Sequence, residues 1–421
     1  MIYNLSKPKL LRTAVQLPSS KSIANRTLII SSLCGTRVSE LGHIKGCDDT
    51  DVLMHAISNL GSQHVFDIGA AGTAMRFLTA RLAITPGEHV ITGSKRMQQR
   101  PIALLVNALR ELGADITYVR QEGFPPLSIK GKSLSGGCIT LEGNVSSQYI
   151  SALLLIAPTL QQGLTLKLTG TIISRPYIDM TLKLMQQWGA DAGWCNDDTI
   201  IVKPQPYVQP AKPSIERDWS AAAFWLEITA LYNLCTDKPH DASVLLRELT
   251  RQDSQQGDSR AAAYFEQLGV QVASSEGGMI CSNSGQRAAK FEYDFTSTPD
   301  LAQAVIVTCC LLNTRFRISG LQSLRIKETD RIAALQKELR KLGYIIKEEE
   351  AGTLIWDGQR CTEADSPVID TYYDHRMAMA FAPVALALGN IKINEPMVVT
   401  KSYPTFWQDL EACGFTITSL Q

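Results

Sequence analysis

The sequence predicts an α/β protein in which six similar helix-strand units are shared between two domains. Three observations predict it. A phrase made of an amphipathic helix, a glycine and a short β-rich run recurs six times. A proline-rich stretch breaks the chain between the third and fourth occurrences. And 421 residues, 45% of them hydrophobic, are more than one core ordinarily serves at about 100 to 200 residues per domain.

The phrases are ISNLGSQHVF at Gly61, LRELGADITYV at Gly113, MQQWGADAGW at Gly189, FEQLGVQVAS at Gly269, LRKLGYIIKE at Gly343 and LEACGFTITS at Gly414. Glycine accepts the left-handed backbone that ends a helix, and the β-branched and aromatic residues after it favour an extended segment. One such phrase is commonplace in any α/β protein. Six of them, roughly 50 to 80 residues apart, describe units too large for a solenoid repeat and too few for an eight-unit barrel. Two domains of three units fit. The four prolines between Pro204 and Pro213 place the crossover near Lys212 to Glu216. The apolar run from Ile150 to Leu160 is too short to span a bilayer and reads as a buried helix.

Lys plus Arg and Asp plus Glu both total 41, so the net charge is zero and no bulk field favours nucleic acid or an anionic membrane. Any strongly charged ligand must be met by a local cluster. The ten cysteines are Cys34, Cys47, Cys138, Cys195, Cys235, Cys281, Cys309, Cys310, Cys361 and Cys413, with no CxxC pair and no Cys/His ligand spacing. They read as reduced core thiols of a cytoplasmic protein, with no metal. The N-terminus, MIYNLSKPKL, lacks the basic flank and apolar stretch of a signal peptide.

Several segments carry cations at helix starts. Leu17-Pro18-Ser19-Ser20-Lys21-Ser22-Ile23-Ala24-Asn25-Arg26 offers free N–H groups with Lys21 and Arg26 beside them, which suits an anion, although serine-rich caps are ordinary. It is not a Walker loop. Asp67-Ile68-Gly69-Ala70-Ala71-Gly72-Thr73 lets backbone approach a ligand before a helix begins. Arg96 and Arg100 bracket a polar loop, and arginine forks suit phosphate or carboxylate. Ser146-Ser147-Gln148 and Ser174-Arg175-Pro176-Tyr177 supply hydroxyl and amide donors at further helix starts, with capping an equal alternative. Lys327-Glu328-Thr329-Asp330-Arg331 is read as the opening of a helix, with Lys327 and Arg331 one turn apart on one face and Glu328 in their field. Asp300 precedes an apolar helix, where an N-cap is the plain alternative. Asp374-His375-Arg376 and Thr400-Lys401-Ser402 complete the set, with no catalytic role for His375.

Together and in this order, PSSKS with NR, GAAGTAMR, RMQQRP, SSQ, SRPYID, QGD, PD, KETDR, DHRMAM and TKSYP resemble the signature set of the EPSP synthase family of enolpyruvyl transferases, over essentially the whole chain. The resemblance implies two inside-out α/β barrel domains, each of three βαβαββ units, with the active site in the interdomain cleft. One domain would be residues 20–215, the other residues 1–19 plus 216–421. It implies transfer of enolpyruvate from phosphoenolpyruvate to the 5-hydroxyl of shikimate 3-phosphate in aromatic amino acid (chorismate) biosynthesis, by a monomer that needs no cofactor. Closure of the domains on the phosphorylated substrate would exclude water.

By the same resemblance, shikimate 3-phosphate is met by Lys21, Ser22, Arg26, Ser146, Ser147, Gln148, Ser174, Tyr177, Asp300 and Lys327. Phosphoenolpyruvate is met by Lys21, Gly72, Arg100, Gln148, Arg331, Arg376 and Lys401. Asp300 is expected as the base at the hydroxyl and Glu328 as the proton donor, with Lys21 an alternative shuttle. The chain departs from the family pattern at Ala70, where an asparagine is usual, at Phe77 and Ser323, and where the usual GDxSSA phrase reads Arg217-Asp218-Trp219-Ser220-Ala221. Ala70 implies weaker binding of phosphoenolpyruvate and of the inhibitor glyphosate. The alternatives are a non-catalytic member that binds anionic metabolites, the sister transferase acting on UDP-N-acetylglucosamine, whose loop cysteine is missing between Ser94 and Pro101, and a small-molecule kinase, for which no nucleotide loop is present.

Overall fold

The computed structural model describes residues 1–41, 44, 46–211, 213–232, 234 and 242–420. Lys212, at one end of the expected crossover, and Cys235 lie outside the described residues. The chain divides into two compact units, one of Met1–Pro18 with Glu216–Gln421 and one of Ser19–Ile215.

The architecture is α/β. The described residues form five four-stranded sheets, and all five share one pattern: an edge strand parallel to its neighbour, followed by two antiparallel pairings. Within Ser19–Ile215, one sheet runs in space Val65–Asp67, Gly87–Thr92, Leu127–Gly131, Asp115–Tyr118, with helices Gly72–Ala83 and Ala103–Glu111 between its first three strands in sequence. That is a βαβαββ unit. The next, from Gly137–Glu142 to Thr199–Val202, repeats it with helices Ser147–Ile156 and Arg175–Gln187.

The other unit uses the same plan three times, with two rearrangements of the chain. Arg12–Val15 is the parallel edge strand beside Ser243–Arg247, so all of Ser19–Ile215 is inserted in the first connection of that repeat. The last repeat takes its inner antiparallel strand from the N-terminus: Ile2–Ser6 pairs with both Asn390–Asn394 and Thr416–Leu420.

Burial explains why these sequences form these layers. Strands alternate: in Arg315–Ser319, Phe316 and Ile318 are buried while Arg315 and Arg317 are exposed. Helices Trp219–Tyr232 and Ala302–Leu311 are apolar on every side, and all their residues except Ser220 are buried. A helix without a polar face must lie inside. The same holds for Ser147–Ile156, where only Gln148 reaches solvent, as the Ile150 to Leu160 run suggested. Each unit has its own apolar core.

The glycine phrases divide five to one. Gly113, Gly189, Gly269, Gly343 and Gly414 have φ between 84° and 100°, and each leads into the outer antiparallel strand of a different sheet. Gly61 does not. It is not left-handed, its helix Asp48–Ser58 ends at Asn59, and the strand that follows, Val65–Asp67, is the parallel edge of a sheet already served by Gly113. The Gly61 phrase therefore shares the wording of the repeat and not its geometry.

The cysteines need a second correction. Cys138 and Cys195 are exposed and Cys34 and Cys361 half-buried, so the core thiols are Cys47, Cys281, Cys309, Cys310 and Cys413. Among the described residues, no helix is long and apolar enough to cross a membrane.

Candidate active site

In Ser19–Ile215, the predicted residues gather at the N-termini of four helices. Arg26, on helix Lys21–Cys34, knits three of them together. Its guanidinium donates to Thr181 Oγ1 at 2.7 Å, Ser151 Oγ at 3.0 Å, the Ser22 carbonyl at 2.8 Å and the Tyr177 carbonyl at 3.3 Å. The Phe77 ring centroid lies 5.4 Å from its central carbon, which gives the unusual phenylalanine a structural task. Burial lowers the Arg26 pKa to about 10, with the Tyr177 side chain opposing, so the cation persists at neutral pH. Lys21 forms an ion pair with Asp49 at 3.0 Å, and Asp49 is almost fully buried.

Gly72 opens helix Gly72–Ala83 with no side-chain cap, so N–H groups of its first turn are left for another acceptor. The Arg100 guanidinium lies against it: a Cβ on Gly72 would stand 2.7 Å from Arg100 Nη1. Only glycine lets that side chain settle over the helix start. Arg100 is 8% exposed, and among the described residues no carboxylate or hydrogen-bond acceptor engages its guanidinium. Gln148 Nε2 donates to Thr73 Oγ1 at 3.2 Å, tying the start of helix Ser147–Ile156 to the same place. Ser146 caps that helix through Gln148 N, and Ser174, at φ 54°, begins helix Arg175–Gln187 without a side-chain cap bond. A buried guanidinium beside an uncapped helix start is an anion site by its chemistry.

The other unit answers its cations internally. Arg331, 1% exposed, donates through Nε to Asp374 Oδ2 at 2.7 Å and through Nη2 to Asp374 Oδ1 at 3.2 Å. It also reaches Asp300 at 2.9 Å and Glu328 at 3.1 Å. Lys327 and Arg376 converge on Asp300 at 3.3 and 3.4 Å, and Lys401 meets Glu328 at 2.9 Å. Burial alone would raise the Asp300 pKa, but Lys327, Arg376 and Arg331 together hold it far below the usual carboxylate range.

Lys327 and Arg331 do not share a helix face. Asp330 caps the helix by accepting from Ile332 N and Ala333 N, so helix Arg331–Lys341 starts after Lys327 and Glu328. The two cations are instead reconciled by Asp300, which sits in a 3-10 turn, Pro299–Leu301, and caps nothing.

A model of the EPSP synthase (3-phosphoshikimate 1-carboxyvinyltransferase) family matches residues 5–67 and 62–410. A 3-phosphoshikimate 1-carboxyvinyltransferase of Bacteroides fragilis is 54% identical over 418 residues, 99% of each chain. One from Vibrio cholerae is 34% identical over 426 residues, covering 95% of this chain and 96% of its own. The chain belongs to the EPSP synthase family. An EPSP synthase structure from Acinetobacter baumannii shares the fold, with TM-score 0.74 over 99% of this chain and all of its own, at 19% identity.

Three carboxylates beside the cations were not singled out from the sequence. Asp374 stands in the sequence as a neighbour of His375 and Arg376 with no role of its own, yet it is fully buried against Arg331. Asp49 faces Lys21, signalled only by the acidic run Asp48-Asp49-Thr50-Asp51 at the next helix start. Asp258, of the QGD phrase, is buried, accepts a hydrogen bond from Ser220 Oγ, and has its pKa raised to about 6. Burial is the main cause; Arg376 opposes it, and Asp300 adds to it.

Proposed function

We propose that this chain transfers the enolpyruvyl group of phosphoenolpyruvate to the 5-hydroxyl of shikimate 3-phosphate, giving 5-enolpyruvylshikimate 3-phosphate and phosphate. The observation that carries the reading is Arg100, a buried cation that meets no carboxylate among the described residues, lying over the start of the Gly72 helix, which has no side-chain cap. Family membership supplies the reaction class. The two units are read as two inside-out α/β barrel domains, with the substrates in the cleft between them.

In this reading Gly72, Arg100, Gln148, Lys21, Arg331, Arg376 and Lys401 receive phosphoenolpyruvate. Lys21, Ser22, Arg26, Ser146, Ser147, Gln148, Ser174, Tyr177, Asp300 and Lys327 receive shikimate 3-phosphate, with Arg26 acting largely by holding the helices that carry Ser147 and Tyr177. The 5-hydroxyl oxygen bonds to C2 of phosphoenolpyruvate while Asp300 takes its proton and Glu328 delivers one to C3. Loss of phosphate from C2 and of a proton from C3 then restores the double bond.

The state of Asp300 sets a condition on this scheme. A carboxylate held by three cations is a poor base. The anionic groups of the substrates must draw Lys327, Arg331 and Arg376 away before Asp300 can accept a proton, so base strength would arrive with the ligand.

The test is phosphate release from phosphoenolpyruvate by the purified protein without ATP, with shikimate 3-phosphate in one tube and UDP-N-acetylglucosamine in another. Release only in the first supports the reading. Release only in the second, or in neither from folded protein, overturns it.

A further inference from the structure

Glu338 is buried without exposure on helix Arg331–Lys341, and nothing in the proposed chemistry uses it. It stands seven residues after Arg331, two turns along the same helical face and roughly 10 Å further on. These two side chains grip the two ends of one short segment. Glu338 Oε1 accepts from Tyr372 Oη at 2.5 Å, and Oε2 accepts from Asp370 N at 3.1 Å. Lys341 pairs with Glu338 at 2.6 Å and donates to the Val368 carbonyl at 2.8 Å. At the far end, Arg331 holds Asp374.

Between the two grips the backbone takes an unfavourable path. Tyr372 and Tyr373 are consecutive left-handed residues, with φ of 52° and 56°, a conformation bulky side chains disfavour. Tyr373 is 77% exposed, so burial of its ring does not hold the turn. The Tyr372 hydroxyl is held on Glu338 with Lys337 Nζ 5.6 Å from its ring centroid, a turn is closed by Asp374 N on the Thr371 carbonyl at 2.8 Å, and Thr371 Oγ1 donates to the Glu395 carbonyl at 3.4 Å. Asp374 then accepts from Arg376 N at 2.9 Å, and Arg376 Nη1 donates to the Asp300 carbonyl at 3.0 Å.

We propose that Glu338 is a positioning residue for phosphoenolpyruvate: by holding Tyr372 and Asp370 it fixes the left-handed pair, and through Asp374 it orients the Arg331 and Arg376 guanidinium groups. The inference rests on the proposed role of those arginines. It involves no contact between Glu338 and substrate.

Two variants test it. Tyr372→Phe removes one hydroxyl from a half-buried ring, and Glu338→Gln keeps an acceptor for that hydroxyl. In steady-state kinetics Tyr372→Phe is expected to raise KM for phosphoenolpyruvate about 5- to 10-fold, with kcat and KM for shikimate 3-phosphate within about 2-fold. Glu338→Gln is expected to show a smaller rise, a partial rescue of the contact. In parallel, solvent exchange of the Arg331 Nε–H, followed by 15N NMR, is expected to accelerate in Tyr372→Phe. If both KM values move together, or only the melting temperature changes, Glu338 is structural and the proposal fails. If the wild-type protein releases no phosphate, the functional reading has failed, and the exchange measurement decides this inference alone: unchanged Arg331 exchange overturns it.

Discussion

Arg26 and Arg331 are equally buried, yet the two units of the molecule treat them in opposite ways. Arg26 is held by two hydroxyls and two carbonyls, and burial lowers its pKa to about 10. Arg331 suffers the same burial, but Asp374, Glu328 and Asp300 outweigh it and hold the group above its ordinary value. Arg100 resembles Arg26 in meeting no carboxylate among the described residues. The difference teaches where an anion is already provided for. Among the described residues of 19–215, Arg100 is buried with no carboxylate beside it, whereas Arg26 is met by neutral oxygens and Lys21 by Asp49. The other unit neutralises its own cations and can receive an anion only by exchanging one carboxylate for another.

The sharpest way to break this comparison is to delete the charge in each unit and measure stability. Arg331→Leu leaves Asp374, Asp300 and Glu328 without their shared cation, one of them fully buried, and is expected to cost about 3–5 kcal/mol. Arg26→Leu removes a cation from neutral oxygens that retain other bonds: Ser151 and Thr181 hydroxyls are 2.8 Å apart. Its expected cost is about 1–3 kcal/mol. Urea unfolding of both variants reads the difference, and equal losses would mean that the carboxylate cluster is not the distinguishing feature.

A second test uses pH within the self-neutralised unit, where two carboxylates have opposite signs. The folded pKa of Asp300 lies far below its ordinary 3.8, so its stabilisation is present above about pH 4 and is lost as pH falls toward the folded value. Asp258 is raised from 3.8 to about 6, chiefly by burial. Between those values the unfolded chain releases a proton that the folded chain keeps, so this residue makes stability fall as pH rises. Asp258→Asn keeps an acceptor for Ser220 and removes the fall. The variant should match the wild type below about pH 4 and exceed it by on the order of 2–3 kcal/mol above about pH 6. Parallel stability curves would place the Asp258 proton outside the folding equilibrium.

These features differ in how far the sequence displays them, and the reason is range. The glycines at 113, 189, 269, 343 and 414 are legible because helix termination is settled within a few residues, and the layers follow from alternation and from helices with no polar face. Gly61 shows the limit, since identical wording precedes a strand whose partner is chosen by topology. In the candidate site the cations stand out because they cluster at helix starts. Their carboxylate partners do not: Arg331 and Asp374 are 43 residues apart and Lys21 and Asp49 are 28 apart. Which unit pairs its charges and which leaves Arg100 open is a property of packing, so the two halves look alike as strings and differ as structures. The same holds for the grip of Glu338 on Tyr372.

The smallest expected change in stability gives the finest test of the open half. Gly72→Ala places a Cβ 2.7 Å from Arg100 Nη1, but the obstructed atom is the end of a flexible side chain, and alanine suits a helix start better than glycine. Stability should therefore move by no more than about 0.5 kcal/mol. Affinity should not be spared in the same way, because the displaced guanidinium no longer lies over the free N–H groups of Gly72–Ala83. A loss of about tenfold in phosphoenolpyruvate binding, about 1.4 kcal/mol by titration calorimetry, is expected without a matching loss of fold. If binding survives unchanged while Arg100→Ala abolishes it, the arginine alone carries the anion and the helix start is incidental; if both variants bind normally, the uncompensated charge in this half serves some other ligand, and the contrast between the units no longer locates the donor substrate.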